Sequence, residues 1–213
     1  VDFENDYNTM DIDFMESVWW VFKELWSKGL IYQDYKVLPY SWAASTPLSN
    51  FEANMDYRDV EDPSIYFTLD ARDDFKKIIK GDKFLVWTTT PWCIPGNLAI
   101  AVGKEIEYSR ISIENNFYWI ATDRLSEMND YEIEIVDVSY GKDLIGATYI
   151  PAYNEYEHLF NDGAFRIIHS DDTNTESGSG LVSQAPAYGE SDFYALKNAN
   201  IDVIADPVTL SGR

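Results

Sequence analysis

Three consecutive threonines stand where a buried strand meets a bend of the chain. Thr88, Thr89 and Thr90 follow the strand-like run 83–87 and precede Pro91. Because proline has no backbone N–H to donate to a sheet, the strand has to end near the threonines. Hydroxyls at a strand end can hold a polar ligand or a water molecule. Taken alone, however, the triplet is better explained by the ordinary β propensity of threonine.

A second polar segment ends in a carboxylate. Gly178-Ser179-Gly180 reads as a flexible glycine pair, and a short strand, a break at Pro186 and a helix beginning near Asp192 follow it. In a partly desolvated pocket, a carboxylate binds a substrate ammonium through a charge-assisted hydrogen bond. The alternative role of Asp192 is to cap the helix, since carboxylates favour helix starts. We expect the carboxylate and the threonine hydroxyls to converge on one small cavity.

Together the two segments resemble the editing domain of isoleucyl-tRNA synthetases. That family carries Thr-Thr-Thr-Pro-Trp, an asparagine, and Gly-Thr-Gly with a distal aspartate, which match residues 88–92, Asn97, 178–180 and Asp192. The likeness runs along the whole chain and is closest to the eukaryotic-type branch. Valyl and leucyl relatives usually have arginine where Thr90 stands, which favours the isoleucyl branch.

The resemblance implies a hydrolase that cleaves the aminoacyl ester of tRNA(Ile) mischarged with valine. It implies catalytic roles for Thr88, Thr89, Thr90 and Asp192, with the carboxylate binding the α-ammonium of the substrate. The residues expected in substrate binding are Asn97, Trp92, Gly180, Ser183 and Tyr188. For the two aromatic residues, packing is the alternative role.

One position departs from the family pattern. The family places a histidine, thought to limit pocket size, where this chain has Ser183, and its threonine between the glycines is Ser179 here. A serine is smaller, so the pocket is expected to discriminate less well against isoleucine unless another side chain fills the gap. A second hypothesis follows from this departure: a module that binds the 3′ end of aminoacyl-tRNA but hydrolyses it poorly.

Other kinds of chemistry lack their residues. No Gly-x-Ser-x-Gly motif occurs, Cys93 has no histidine near it in sequence, and His158 and His169 lie outside both polar segments. A covalent mechanism and a metal site are therefore not expected. The His-Ile-Gly-His and Lys-Met-Ser-Lys-Ser motifs of class I synthetases are also absent, so ATP and Mg²⁺ are expected only in a full-length ligase and no cofactor in this chain.

The formal net charge of −21 bears on the partners. Phosphate neutralisation needs clustered lysine or arginine, so the chain alone should bind nucleic acid weakly. We read the charge as a solvated acidic surface, with the tRNA held by the remainder of a parent synthetase and only its 3′ end entering the pocket.

The most apolar N-terminal stretch, 14–26, is interrupted by Glu16, Lys23 and Glu24. Neither a signal peptide nor a membrane span is therefore expected there. A cytoplasmic, monomeric protein is expected.

The pattern of elements predicts a mainly β fold with flanking helices, of the α+β class. An amphipathic helix should begin at Asp13, with a capping-box-like pair to Glu16, and end before Gly29. Strands are predicted over 35–40, 64–69, 83–89, 107–113, 117–121, 131–140, 144–149 and 165–169, a helix over 72–80, and a mobile, lid-like loop over 171–180.

Many short strands favour a closed or nearly closed barrel, and the resemblance implies the editing-domain β-barrel of class I synthetases. Residues 1–56 would form a leader from the parent catalytic domain, and 57–213 the editing domain. A third hypothesis, a carbohydrate-binding barrel, takes the 15% aromatic content and the acidic surface as its basis but explains neither polar segment.

Overall fold

The computed structural model describes residues 6–61 and 63–213. The chain divides into two compact units, residues 1–36 and 37–213. The first unit contains helix α1 (Ile12–Ser27), which confirms the predicted helix. Its N-cap is Asp11, without a side-chain capping bond, so the capping pair predicted at Asp13 is wrong. Within the described part of the chain, no helix has the length and apolarity needed to cross a membrane.

The second unit opens with a small hairpin of β1 (Tyr40–Ser41) and β2 (Thr46–Pro47), followed by the short helix α2 (Asn50–Ala53). A capping box starts α2, because Ser49 and Glu52 exchange hydrogen bonds. The strand predicted over 35–40 is wrong apart from Tyr40. The domain boundary predicted near residue 57 stays a prediction.

One mixed sheet makes up most of the second unit. Its strands are β3 (Ile65–Asp70), β4 (Lys83–Thr88), β5 (Ala99–Val102), β6 (Glu107–Ile113), β7 (Asn116–Ala121), β8 (Glu134–Tyr140), β9 (Arg166–His169) and β10 (Val182–Gln184). They lie in the order β8-β6-β7-β4-β10-β5-β9, and β3 pairs antiparallel with β4. The flanking helices are α3 (Gly141–Leu144) and α4 (Glu190–Asn198).

The sheet curls until its two sides meet. Tyr149 bridges to Ala71 just past β3, and Thr148 bridges to Arg166 of β9. Backbone bonds from Arg72 N–H to the Thr148 carbonyl and from Ile167 N–H to the Ala147 carbonyl, at 3.0 and 2.8 Å, hold this seam. The curled mixed sheet with flanking helices confirms the predicted fold class.

The interior of the barrel is apolar and contains the buried ion pair of Asp82 and Arg110. Phe84 and Val86 of β4 point inward and are fully buried, as the alternation of a strand requires. Asp82, just before β4, accepts hydrogen bonds from Arg110 at 2.7 and 2.8 Å and from the Trp119 indole at 3.0 Å. The backbone N–H of Ile79 donates to the same carboxylate at 3.0 Å. Both oxygens of this buried anion therefore accept hydrogen bonds, three at Oδ2 and one at Oδ1.

The predicted hairpin of β6 and β7 is confirmed, with Glu114 and Asn115 at positive φ in the turn.

The helix predicted over 72–80 is wrong. Phe75 and Ile78 instead form a tight backbone bridge, and Lys76, the first of the two residues between them, has φ +52°. The Asp74 side chain accepts from Lys80 N–H at 2.7 Å, a local bond that competes with helix formation.

The strand predicted over 144–149 is also wrong for most of its length. Residues 141–144 form α3, a turn through Gly146 at φ +97° follows, and only Thr148 and Tyr149 bridge to neighbouring strands. Because two residues suffice to close the seam, the apolar run of this segment serves the core without forming a regular strand.

The glycine pair is packed, which corrects its expected flexibility. Gly178 and Gly180 are buried at φ +69° and +75°. A Cβ on Gly178 would lie 2.6 Å from the Trp87 ring, and one on Gly180 would overlap the Cβ of Ala121. Tyr108 donates its phenol proton to the Gly180 carbonyl at 2.8 Å. Only glycine fits these positions, and they anchor the end of the loop that precedes β10.

Candidate active site

A cavity of about 220 Å³ opens at the end of β4. Its walls come from β4, the 3₁₀ helix Pro91–Gly96, β10, the connection after it and α4. The lining residues are Thr88, Thr90, Trp92, Cys93, Ser183, Ala185, Tyr188, Gly189 and Asp192. The sheet itself produces this convergence, because β10 runs parallel to β4 with Val182 opposite Trp87. Thr88 and Ser183, the next residue on each strand, therefore enter the same cavity.

Two of the three threonines form a hydroxyl pair. The Oγ1 atoms of Thr88 and Thr90 lie 3.2 Å apart, and the backbone N–H of Thr90 donates to Thr88 Oγ1 at 3.1 Å. The contact between the two hydroxyls uses one of their two protons, and the other is available to a ligand that displaces the weak contact between Thr90 and the Cys93 thiol. Thr89 is exposed and does not line the cavity. The alternation of a strand end explains this arrangement.

Asp192 stands in the first turn of α4 and faces the cavity. Its Oδ2 accepts the backbone N–H of Ala185 at 2.8 Å, and Ser191 Oγ lies 3.4 Å from Oδ1. Burial raises the pKa of this carboxyl, and the negative charge of Asp172 adds to the rise, although the Ala185 N–H opposes it. A Cβ on Gly189 would lie 2.9 Å from Asp192 Cγ, so glycine makes room for the carboxylate.

Asn97 supports the cavity from behind. It is buried, and its Nδ2 donates to the Ala99 carbonyl at 2.8 Å and to Ser183 Oγ at 2.9 Å. Its Oδ1 accepts the phenol proton of Tyr149 at 2.6 Å. Asn97 thus fixes the position of Ser183 and does not itself line the cavity.

Two aromatic rings border the opening. Trp92 and Tyr188 meet edge to face with centroids 5.1 Å apart. Trp92 is 57% exposed, whereas the Tyr188 hydroxyl lies 3.0 Å from an Asp206 carboxylate oxygen and accepts Val208 N–H at 3.2 Å. A rigid tyrosine beside an exposed indole gives an apolar rim on which a planar ring can stack.

Cys93 is the remaining side chain of chemical interest in the wall. Burial raises the pKa of its thiol, and the negative charge of Asp192 acts in the same direction. The thiol is therefore neutral near pH 7 and a poor nucleophile. No histidine lines the cavity, and across residues 6–61 and 63–213 no three His, Cys, Asp or Glu side chains come together as a metal site would require.

The structure thus brings together six of the nine residues named from the sequence. Thr88, Thr90, Asp192, Ser183, Trp92 and Tyr188 line the cavity; Thr89, Asn97 and Gly180 do not. The sequence reasoning did not assign site roles to Cys93, Ala185 and Gly189. Cys93 directly follows the Thr-Pro-Trp run, a signal that could have placed it in the wall. The backbone contribution of Ala185 has no sequence signal.

Comparison with known proteins identifies the family to which the chain belongs. Residues 1–181 match the family model for class I tRNA synthetases (I, L, M and V). The chain belongs to the class I tRNA synthetase family. Among relatives of this family, the isoleucine–tRNA ligase of Bdellovibrio bacteriovorus is 46% identical over 100% of the chain and 20% of the relative. The probable cytoplasmic isoleucine–tRNA ligase of Dictyostelium discoideum is 44% identical over 91% of the chain and 18% of the relative.

These relatives confirm the resemblance to isoleucyl-tRNA synthetases within the class I family. The chain spans about a fifth of the length of the curated relatives that it matches. Its TM-score is 0.52 with the GlLeuRS-CP1 crystal structure, over 64% of this chain and 58% of that one at 15% identity. It is 0.51 with the P. falciparum cytosolic leucyl-tRNA synthetase editing domain, over 63% and 65% at 10% identity. At these identities the likeness concerns the fold alone, and it is the fold of editing domains.

Proposed function

We propose that the chain is an editing hydrolase that cleaves the ester between valine and the 3′ end of tRNA(Ile). The observation that carries the proposal is the meeting of Asp192, Ser183 and the Thr88–Thr90 pair in one cavity of a fold shared with editing domains. These groups reach the cavity from three separate elements of the chain. They supply what hydrolysis of an aminoacyl ester requires: a partner for the ammonium, and hydroxyls that place the ester and a water.

Asp192 reads the α-ammonium of the aminoacyl group. The backbone N–H of Ala185 holds Oδ2 and orients the carboxylate, which lines the cavity, and Oδ1 has only the distant Ser191 hydroxyl at 3.4 Å as a neighbouring donor. A charge-assisted hydrogen bond to the ammonium is stronger than a neutral one and excludes substrates whose α-amino group is acylated. The bound ammonium also compensates the carboxylate for its burial, because the two opposite charges are desolvated together.

The threonine pair positions the reacting groups. With one proton available to a ligand, Thr88 and Thr90 can hold the ester carbonyl or a water molecule at the end of β4. Stabilisation of the developing negative charge then falls to such fixed donors, which do not have to reorganise during the reaction. The neutral Cys93 thiol and the lack of a histidine in the cavity favour direct attack by water over a covalent intermediate.

The need for a second site is physical. One methylene in an apolar pocket is worth about 1–3 kcal/mol, a limit for which isoleucyl-tRNA synthetase is itself the standard example. Valine is therefore activated by mistake, and a separate hydrolytic site removes it.

Because the net charge is −21, we propose that other parts of a parent enzyme bind the body of the tRNA. The partners are then that parent enzyme and the aminoacylated 3′ end of the tRNA. A cytoplasmic location accords with the cytoplasmic Dictyostelium relative.

A deacylation assay tests the proposal. Valyl-tRNA(Ile) labelled in the amino acid is incubated with the chain, with Asp192→Asn and with Glu190→Gln, and the released valine is measured against spontaneous hydrolysis. Glu190 is the matched control, since it is exposed in the same first turn of α4 and does not line the cavity. We expect release by the unmodified chain and by Glu190→Gln, and a rate at least tenfold lower for Asp192→Asn.

Spontaneous release only, together with measurable binding of an amide-linked valyl-adenosine analogue, would favour the second candidate function. In that case the chain binds the aminoacyl 3′ end without hydrolysing it. The observation that favours this binding function is that no histidine lines the cavity to act as a base. Absence of both release and binding would contradict both functions.

A further inference from the structure

The hydrogen bonds behind the cavity wall have a fixed polarity. The Ala99 carbonyl lies 2.8 Å from one terminal atom of the Asn97 amide, and a carbonyl can only accept. That atom must therefore be Nδ2, which leaves Oδ1 to accept the Tyr149 phenol proton at 2.6 Å. Asn97 and Tyr149 are both buried, so the orientation of this amide is set by its neighbours.

The same polarity continues to Ser183. Nδ2 has two protons: one goes to Ala99, and the other points at Ser183 Oγ at 2.9 Å. Ser183 is consequently the acceptor of this bond, and its own hydroxyl proton has to be donated elsewhere. Within the described part of the chain no acceptor receives that proton, and Ser183 lines the cavity. The buried network thus presents a hydrogen-bond donor to whatever the cavity holds.

We infer that Ser183 is a specificity-determining residue that donates a hydrogen bond to the side chain of the bound aminoacyl group. The substrate class that fits is an amino acid with a hydroxyl on its β-carbon, of which threonine is the isostere of valine. The site then accepts both esters and binds the hydroxylated one more tightly. This inference rests on the proposed function and adds a preference to it.

The difference in affinity between the threonyl and valyl ligands depends on the Ser183 hydroxyl, which an apolar ligand leaves without an acceptor. A valyl side chain at Ser183 displaces solvent from the hydroxyl and returns no acceptor, whereas a threonyl hydroxyl replaces the lost bond. Ser183 is only half-buried, which limits the penalty. We expect the threonyl ligand to bind about three- to tenfold more tightly than the valyl ligand.

The test compares two amide-linked analogues, valyl- and threonyl-adenosine, by isothermal titration calorimetry with the unmodified chain. Tighter binding of the threonyl analogue supports the inference. Equal affinities, with the valyl analogue bound, overturn the inference and leave the proposed function intact. If neither analogue binds, the proposed function fails and the inference fails with it.

Three variants assign the preference to the correct hydroxyl. Ser183→Ala should bring the two affinities together, and Ser183→Thr should retain the difference because it keeps the hydroxyl. Thr68→Val should behave as the unmodified chain, because Thr68 is exposed on β3 and does not line the cavity. A preference that persists in Ser183→Ala overturns the assignment. Should Ser183→Ala fail to fold, the comparison of the two analogues on the unmodified chain still decides whether the preference exists.

Discussion

The carboxylate of Asp192 accepts the backbone N–H of Ala185 at 2.8 Å, seven residues earlier in the chain. This bond joins the first turn of α4 to the end of β10 and holds the carboxylate against the cavity. Gly189 lies between the two partners in sequence. A side chain at this position would collide with Asp192 Cγ, so glycine leaves room for the carboxylate. A structural bond and a proposed ligand contact therefore share one carboxylate, and substitutions can separate them.

Asp192→Asn keeps an oxygen for the Ala185 N–H but removes the charge, whereas Asp192→Ala removes both. We expect both variants to bind the amide-linked valyl-adenosine analogue about ten- to a hundredfold more weakly, since a hydrogen bond to a charged group is worth about 1.5–3 kcal/mol. Only Asp192→Ala should also lower the free energy of unfolding. Calorimetric binding and urea denaturation measure the two effects. Unchanged affinity in Asp192→Asn would reduce the carboxylate to a structural role.

The raised pKa of Asp192 gives a pH dependence with opposite signs for binding and stability. Between the ordinary aspartate pKa and the raised one, the folded chain holds a proton that the unfolded chain has lost. This contribution to stability is complete below the ordinary pKa and is lost as the pH rises through the raised one. Asp192→Asn should therefore gain stability relative to the unmodified chain at pH 7 but not at pH 3.

Analogue binding should weaken as the pH falls through the raised pKa, because the ammonium then loses its anionic partner. Urea denaturation and calorimetry across pH 3–8 check the two trends on the same protein. An equal stability difference between Asp192→Asn and the unmodified chain at every pH would contradict the role assigned to burial.

The threonine pair should act as a unit. Thr88→Val and Thr90→Val each break the contact between the hydroxyls and remove one donor, and we expect each to slow deacylation about tenfold. The double variant should cost much less than the product of the two, since the contact is already lost in each single variant. Thr89→Val is the control and should leave the rate unchanged. Full multiplicativity would contradict the pairing.

Ser183→His restores the family residue and tests the size of the pocket. The larger side chain should reduce hydrolysis of correctly charged isoleucyl-tRNA(Ile) more than that of valyl-tRNA(Ile), because isoleucine needs the additional space of a methylene. Initial rates of release of the two amino acids give the ratio for each variant. An equal ratio before and after the substitution would show that Ser183 does not set the size limit.

The buried Asp82–Arg110 pair predicts a stability effect that is independent of the cavity. Asp82→Ala leaves Arg110 and the Trp119 indole without their shared acceptor and should lower the free energy of unfolding by about 3–5 kcal/mol. The only partly buried pair of Asp70 with Lys83 at 2.8 Å is the control, and Asp70→Ala should cost less than about 1 kcal/mol. Urea denaturation followed by circular dichroism measures both. Similar losses for the two variants would contradict the difference in burial.

The sequence predicted best those features that local pattern determines. The β6–β7 hairpin follows from alternating apolar residues around Glu114-Asn115, and the end of β4 follows from Pro91. The region 72–80 failed because the Asp74 and Asp82 side chains bind nearby backbone N–H groups, which replaces the helical bonds its composition favours. Local polar side chains outweighed helix propensity there.

For the site, the sequence supplied the lining hydroxyls and the carboxylate but could not supply the layer behind them. Asn97 acts through Ser183, 86 residues away, and is oriented by Tyr149, 52 residues away. Nothing in the spacing of these residues brings them together. The pairing of β5 with β10 places Asn97 beside Ser183, and the seam at Thr148 and Tyr149 adds Tyr149 only once the sheet has closed. The packing of Gly178 against Trp87 is hidden from the sequence for the same reason.

The most direct test of the account is a crystal structure of the chain with the amide-linked valyl-adenosine analogue. The account predicts the analogue's ammonium within about 3.2 Å of an Asp192 carboxylate oxygen, with the amide group against the Thr88–Thr90 pair. An analogue bound at another surface, or bound in the cavity with its ammonium turned away from Asp192, would contradict it.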